Sequence, residues 1–224
     1  MFDVIIPLRS GSKGLKNKNI KMFGDDNLVN HTIKKLLNIK DIKRIFILTD
    51  SKDYKKKTLI NPKVNTKFIR PKKLSKDNSS IFDLVKSFIK WSDKNEYFLN
   101  DMILMQVTSP LLSIIEIKKS LRLIKTKKLN SLFHVSKMIE NPHFCILNKN
   151  KDWKYLLKKR VVNRQSSKKY FFITGSMFYF KKKFFLKNKK FINSSSYAFE
   201  VNKKNFIDID DNFDFQIALA ANKI

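Results

Sequence analysis

The sequence predicts an α/β fold, a mostly parallel sheet flanked by helices, and three observations carry that expectation. Short apolar runs alternate along the chain with segments of helical period. A Gly/Lys/Asn-rich loop directly follows the first apolar run, in the place where open α/β sheets bind ligands. With 42% hydrophobic residues in a 224-residue chain, there is material for one sizeable core, so a single domain over 1–224 is expected.

The elements follow in order. Asp3 to Leu8 reads as a buried strand, and Val29, Ile33, Leu36 and Leu37 then repeat at helical spacing before a second strand at Arg44 to Thr49. Ile81, Leu84, Val85, Phe88 and Ile89 mark a further amphipathic helix, followed by a third strong strand at Met102 to Val107. Ile114, Ile117, Leu121 and Ile124 share one helical face ahead of a strand at Ser131 to Val135. From about Ile139 to Tyr170 the pattern turns irregular and basic, with Asn141-Pro142 as a turn signal, so this stretch is predicted to be an excursion from the sheet. Regular patterning resumes at Phe171 to Phe180, and a short strand at Phe206 to Ile209 is expected to lead into a closing helix around Phe213 to Ala220.

Composition narrows the function. A net charge of +29 raises nucleic acid or an anionic membrane as partners. Only six of the 48 basic residues are arginine, the residue suited to bidentate phosphate and base-edge recognition, and the lysines are spread along the whole chain. No specific nucleic acid is therefore expected, and Lys55-Lys56-Lys57 and Lys181-Lys182-Lys183 read as solvated faces. The single cysteine, Cys145, excludes an intrachain disulfide or a cysteine-based zinc cluster. No stretch reaches the ~18 apolar residues of a membrane span, and Met1 to Pro7 lacks a basic leader, so a cytoplasmic protein without a membrane partner is expected.

The loop after the first strand reads Arg9-Ser10-Gly11-Ser12-Lys13-Gly14-Leu15-Lys16-Asn17-Lys18-Asn19. Its glycines permit tight turns that present N–H donors to an anion, and Arg9, Lys13 and Lys18 add compensating charge. It is neither a Walker loop nor a GxGxxG dinucleotide turn. The string Ile5-Ile6-Pro7-Leu8-Arg9 with Ser12-Lys13 and Lys18-Asn19 resembles the signature R-x-x-S-K-x-x-x-x-K-N of the acylneuraminate (CMP-sialic acid synthetase) cytidylyltransferase family. Further matches follow in the family's order: Arg70-Pro71 and Ser75 to Ser80, Gln106-Val107-Thr108-Ser109-Pro110, Arg164-Gln165, and Ile207-Asp208-Ile209-Asp210. Two departures stand out, Leu112 where the family usually has arginine and Thr174-Gly175-Ser176 where it usually has Asn-Gly-Ala.

The resemblance implies a Rossmann-like nucleotidyltransferase fold, with the irregular 139–170 stretch as a dimerisation excursion in a homodimer. It implies transfer of CMP from CTP to a nine-carbon 2-keto (nonulosonic) sugar acid. A Kdo or other sugar nucleotidyltransferase is the nearest alternative, and an inactive polyanion-binding module on the same fold is a second. By the same resemblance, Arg9, Ser12, Lys13 and Lys18 contact the triphosphate and Asn19 helps to hold the nucleotide. Arg70 and Ser80 face the cytidine and ribose, although Ser80 also suits a helix cap before Ile81. Gln106, Thr108 and Ser109, at the carboxyl end of a strand, are expected to point into the same crevice and meet the sugar. Arg164 is the candidate fork for its carboxylate. None of His31, His134 and His143 is assigned to catalysis. In Phe206 to Asp210, apolar residues alternate with acids, so a strand would bury the isoleucines and project Asp208 and Asp210 together, roughly 6–7 Å apart, to hold Mg²⁺.

Overall fold

The computed structural model describes residues 1–11, 14–138, 140–149, 152–157 and 169–222. β1 (Phe2–Leu8) is followed, across the basic loop, by the two-residue strands β2 (Met22–Phe23) and β3 (Asp26–Asn27), which pair with each other. α1 (Leu28–Leu37), β4 (Ile42–Thr49), α2 (Lys52–Lys57) and β5 (Val64–Asn65) come next. The alternation continues through α3 (Ile81–Lys94), β6 (Asp101–Met105), α4 (Ile114–Thr126) and β7 (Ser131–Lys137). A small hairpin, β8 (Ile146–Lys149) with β9 (Asp152–Tyr155), precedes the long β10 (Phe171–Lys181); α5 (Lys182–Asn188), β11 (Tyr197–Glu200) and α6 (Asn212–Ala221) follow.

Seven strands form one sheet in the order β11-β7-β10-β6-β1-β4-β5. All neighbouring pairs are parallel except those of β10, which runs antiparallel between β6 and β7. The carboxyl ends of β1, β4, β6 and β7 therefore share one edge, where the loops that carry polar residues collect.

Strand parity divides the core in two. On β1, β4 and β6, residues Val4, Ile6, Ile45, Ile47, Ile103 and Met105 face the layer formed by α1, α4 and α6. The residues between them, Ile5, Phe46, Leu48, Met102 and Leu104, face α3 and α5. Burial on both faces is why these strands read as near-continuous apolar runs. The second layer is rich in aromatics: Phe88 is fully buried, with ring centroids 5.0 Å from Phe46, 5.4 Å from Phe68 and 5.8 Å from Trp91.

Polar side chains set the helix starts. Asn27, Ser51, Ser80, Ser113 and Asp211 each accept from a backbone N–H of the first turn of α1, α2, α3, α4 and α6. Ser113 with Glu116, and Asp211 with Asp214, close reciprocal capping boxes.

Two expectations are corrected. β6 stops at Met105, so Gln106 and Val107 belong to the loop beyond the sheet edge. Phe206 to Ile209 is not a strand: it runs extended between a turn of 3-10 helix at Lys203–Asn205 and α6, tied by the Ile209 N–H donating to the Thr108 carbonyl at 2.9 Å. The place beside β7 is taken by β11, whose Tyr197 to Glu200 pairs with it in parallel. The irregular stretch after Ile139 contains the β8–β9 hairpin, while 158–168 lie outside the described residues.

Phe88→Ala removes a fully buried ring between α3 and β4, a change that typically costs ~3–5 kcal/mol. Urea unfolding of this variant is expected to show that loss, and a change below about 1 kcal/mol would mean that the aromatic layer does not hold the sheet.

Candidate active site at the carboxyl edge of the sheet

A cleft of about 300 Å³ opens at the edge where β1 and β6 end, lined by Pro7, Arg9, Gly14, Lys18, Asn19, Arg70, Ile81, Gln106, Val107, Thr108 and Asp210. Three chain segments far apart in sequence meet there. The basic loop after β1 forms one wall, the 106–108 turn after β6 forms the second, and the acidic segment ahead of α6 forms the third.

The basic loop is braced from within and from outside. Asn19 is buried and its amide donates to the Arg9 carbonyl at 3.1 Å, so it holds the loop closed on itself. The Ser10 N–H and hydroxyl both donate to the Asp50 carboxylate at 3.0 Å, anchoring the loop to the end of β4. Arg9 pairs with Asp77 of the 75–80 segment. Ser12 and Lys13, expected at the triphosphate, lie outside the described residues.

Arg70 is buried, and its Nε and Nη2 donate to the Leu74 carbonyl at 2.9 and 2.6 Å. That grip holds the turn before α3 while the guanidinium still lines the cleft. Desolvation lowers its pKa, opposed by the Asp50 carboxylate and aided by Arg9. The buried cation thus sits between an acid and a like charge. Ser80 caps α3, accepting from the Asp83 N–H at 3.4 Å; it is exposed, and its neighbour Ile81 takes the place in the cleft wall.

The acidic segment locks onto the loop. Lys18 donates its ammonium to the Ile209 carbonyl and pairs with Asp210 at 3.3 Å. Gly14 makes this possible: a Cβ there would stand 2.3 Å from the Asp210 carbonyl oxygen, a distance no side chain tolerates. The two acids are not displayed side by side as a strand would display them. Asp210 is exposed and faces the cleft, whereas Asp208 is half-buried and hydrogen-bonded to Thr108. Burial raises the Asp208 pKa, the Asp210 charge adds to the rise, and Thr108 and Lys18 oppose it. The segment is extended but unpaired, so its parity follows local contacts rather than a pleat.

Gln106 and Thr108 fall where the sequence placed them. The Thr108 hydroxyl donates to Gln106 Oε1 at 3.3 Å, and the Gln106 N–H donates to the Ser176 carbonyl at 3.2 Å. Ser109 does not fit the expectation of a side chain in the crevice. It is buried beside Thr32, Lys35, Pro110 and Leu112, and its Oγ has no hydrogen-bond partner. Because β6 has already ended at Met105, the alternation used to aim these side chains no longer applies. Arg164 lies outside the described residues.

Two acids were missed by sequence reading, Asp50 and Asp77. Asp50 follows β4 at the same sheet edge as the basic loop, a position that could have marked it. Asp77 sits inside the Ser75 to Ser80 string, a polar run in which a lone acid carries no pattern of its own. Among the described residues no group of three or more His, Cys, Asp or Glu side chains comes together to hold a metal ion. None of their helices is long and apolar enough to cross a membrane.

An open sheet with a basic, glycine-bearing loop facing Asp210 across one cleft defines the class, an α/β protein of Rossmann-like architecture. The chain belongs to the cytidylyltransferase family, whose model matches residues 4–220. It is 31% identical over 221 residues to N-acylneuraminate cytidylyltransferase of Escherichia coli, covering 96% of this chain and 50% of that protein. It is 28% identical over 215 residues to the protein of the same name from Streptococcus agalactiae serotype III, covering 94% and 51%. The chain thus spans about half the length of these curated relatives. Its fold is similar to that of a CMP:2-keto-3-deoxy-manno-octonic acid synthetase solved with CTP, with a TM-score of 0.69, 12% identity, and coverage of 100% of this chain and 99% of that one.

Gly14→Ala forces the Asp210 backbone off the loop. Overpacking of this kind typically costs ~1–3 kcal/mol, and urea denaturation is expected to show it. Unchanged stability would mean that the two segments do not meet.

Proposed function

We propose that the chain is a cytidylyltransferase that moves CMP from CTP to a nine-carbon nonulosonic sugar acid, releasing pyrophosphate. The observation that carries this reading is the cleft itself, in which the loop of Arg9, Gly14 and Lys18 faces Asp210 while Gln106 and Thr108 supply an uncharged polar wall. Family membership and the names of the two relatives above support it.

The anomeric hydroxyl of the acid attacks the α-phosphorus, the new P–O bond forms, and the bond to the β-phosphate oxygen breaks in line. Arg9, Ser12 and Lys13 hold the triphosphate, where fixed cations stabilise charge growing on the pyrophosphate. Lys18 positions the Asp210 segment against that loop, and Asn19 keeps the loop closed. Arg70 and Ser80 border the base and ribose. Gln106, with a donor and an acceptor, meets sugar hydroxyls or an acylamino group beside Thr108, with Ser109 supporting the turn from below. Arg164 takes the sugar's carboxylate, because an arginine fork pairs with it bidentately.

Asp208 and Asp210 fit Mg²⁺. Both offer hard oxygen ligands; burial and the neighbouring Asp210 charge raise the Asp208 pKa, and a cation bound there would favour its deprotonated form. Two carboxylates suffice for an ion that completes its shell with phosphate oxygens and waters. When bound, the ion would neutralise phosphate charge at the reacting phosphorus. The reading includes a cytoplasmic protein, since its substrate would be CTP.

Pyrophosphate release from CTP and Mg²⁺ is expected with at least one nine-carbon nonulosonic acid and not with Kdo. Asp208→Asn and Asp210→Asn should each lower turnover and shift its Mg²⁺ dependence. Arg164→Ala should raise the KM for the acid while leaving that for CTP nearly constant, since stripping a desolvated charge of its partner costs ~2–5 kcal/mol. Release with Kdo alone, or with no acid, would overturn the reading.

The same reading includes a homodimer. Ile146, Leu147 and Leu156, on and beside the β8–β9 hairpin, and Phe171 and Ile173, at the start of β10, are each at least 43% exposed, apolar surface that a second copy would cover. Light scattering at micromolar concentration is expected to give twice the chain mass, and a monomer would sink the assignment.

A further inference from the structure

β10 forms the cleft wall behind Gln106, and its pairing with β7 shifts register between Ile173 and Phe178. Gly175 stands in that irregularity in a left-handed conformation, φ +72°. The Gln106 amide lies against it, since a Cβ built on Gly175 would be 3.6 Å from Gln106 Nε2. On the other side of the bend, Thr174 and Ser176 turn inward, 3% and 0% exposed, and meet His134 of β7, which is wholly buried.

The polar atoms there form one chain. Thr174 Oγ1 and Ser176 Oγ are 2.8 Å apart, Ser176 Oγ is 3.2 Å from His134 Nδ1, and His134 Nε2 is 2.9 Å from Ser120 Oγ on α4. The Ser120 hydroxyl lies 3.0 Å from the Glu116 carbonyl, which can only accept. At the other end the Thr174 hydroxyl lies 3.3 Å from the His134 backbone carbonyl, a second group that can only accept. Ser120 donates to the Glu116 carbonyl and accepts from His134 Nε2–H, His134 Nδ1 accepts from Ser176, and the single Thr174 proton serves either Ser176 Oγ or the His134 carbonyl. A neutral imidazole protonated on Nε2 satisfies both of its ring contacts. Burial supports that state, drawing the His134 pKa down to about 3. The Phe199 ring, 5.3 Å away, closes the site from β11.

We propose that His134 is a positioning residue for the sugar subsite, holding the Gly175 bend through Ser176 and Thr174 and thereby fixing the Gln106 side chain that the sugar acid meets. The inference rests on the cytidylyltransferase reading for the identity of the ligand. The positioning of the bend by His134 does not depend on it. His134 touches neither nucleotide nor sugar and acts from the opposite face of β10. The nucleotide loop is braced separately, by Asp50 and Asn19, so the two halves of the cleft should respond differently to its loss.

The test compares His134→Phe, which keeps an aromatic ring of similar size without polar atoms, with His134→Asn, whose side chain can still accept from Ser176. In the full chain, H134F is expected to raise the KM for the sugar acid at least about tenfold with the KM for CTP within about twofold, and H134N to recover most of the loss. Hydrogen exchange without substrate gives a readout independent of activity. The amides of Gln106 and of residues 175–177 should exchange at least about tenfold faster in H134F than in the wild type, with β1 unchanged. If H134F does not fold, Ser176→Ala, which removes one link, should show the same exchange pattern to a smaller degree. Failure of the wild-type protein to turn over any sugar acid would remove the cytidylyltransferase reading, and the exchange data alone would then decide the role of His134. Unchanged exchange at 175–177 in folded H134F or S176A, or a CTP KM that rises in step with that of the sugar, would overturn the proposal.

Discussion

The closure of residues 207–211 onto the loop after β1 is the constraint on which the cleft depends. Segments nearly 200 positions apart are brought within hydrogen-bond distance by Lys18 at the Ile209 carbonyl and Asp210, by the missing side chain of Gly14, and by the Ile209 N–H on Thr108. The first two join the acidic segment to the basic loop, and the third joins it to the 106–108 turn. The Ile209 side chain is fully buried in the α1, α4 and α6 layer, so the position of the acids is tied to the core rather than to a mobile tail. Closing so long a loop has an entropic cost that grows only slowly with length, which a well-packed anchor can offset.

The site is therefore a local balance of charge inside a chain of strong positive charge. The +29 excess resides mostly in exposed lysines, as on α2, where Lys55, Lys56 and Lys57 sit on a short surface helix. Within the cleft the cations have designated neighbours: Arg9 with Asp77, Lys18 with Asp210, and Arg70 between Asp50 and Arg9. Buried or half-buried charges need such partners, whereas surface lysines interact with solvent. This is the physical reason that net charge says little here about the partner, while the positions of these three aspartates say a good deal.

How much was legible in the sequence follows from what each signal measures. β1, β4 and β6 were readable because strands covered on both faces carry unbroken apolar runs, and α3 because Ile81 to Ile89 repeats at helical spacing. Phe206 to Ile209 misled because alternation reports which side chains are buried, not where the backbone finds its hydrogen bonds. Ile209 is indeed buried, but its N–H goes to a loop carbonyl rather than to a ladder. Ser109 was misplaced for a related reason, since parity carries direction only while a strand lasts and β6 ends at Met105. Asp50 and Asp77 stayed hidden because single acids carry no pattern, and only the fold shows which loop they face.

The two departures from the family's usual string are both absorbed by burial. Leu112 is 4% exposed in the α1 and α4 layer, an environment that would strand an arginine without partners. The cation near that turn comes from another element: Lys35 of α1 donates to the Pro110 and Leu112 carbonyls, and desolvation lowers its pKa to about 8. Around Gly175 the change runs the other way, since Thr174 and Ser176 bring two hydroxyls into an interior that must then satisfy them. A buried hydroxyl without a partner is costly, and β7 supplies an acceptor for each: the His134 ring for Ser176 and the His134 backbone carbonyl for Thr174. The same economy explains why Gly175 itself persists: with φ +72° and the Gln106 amide against it, the bend needs a residue free to adopt left-handed backbone, while its flanking hydroxyls hold it in that one conformation.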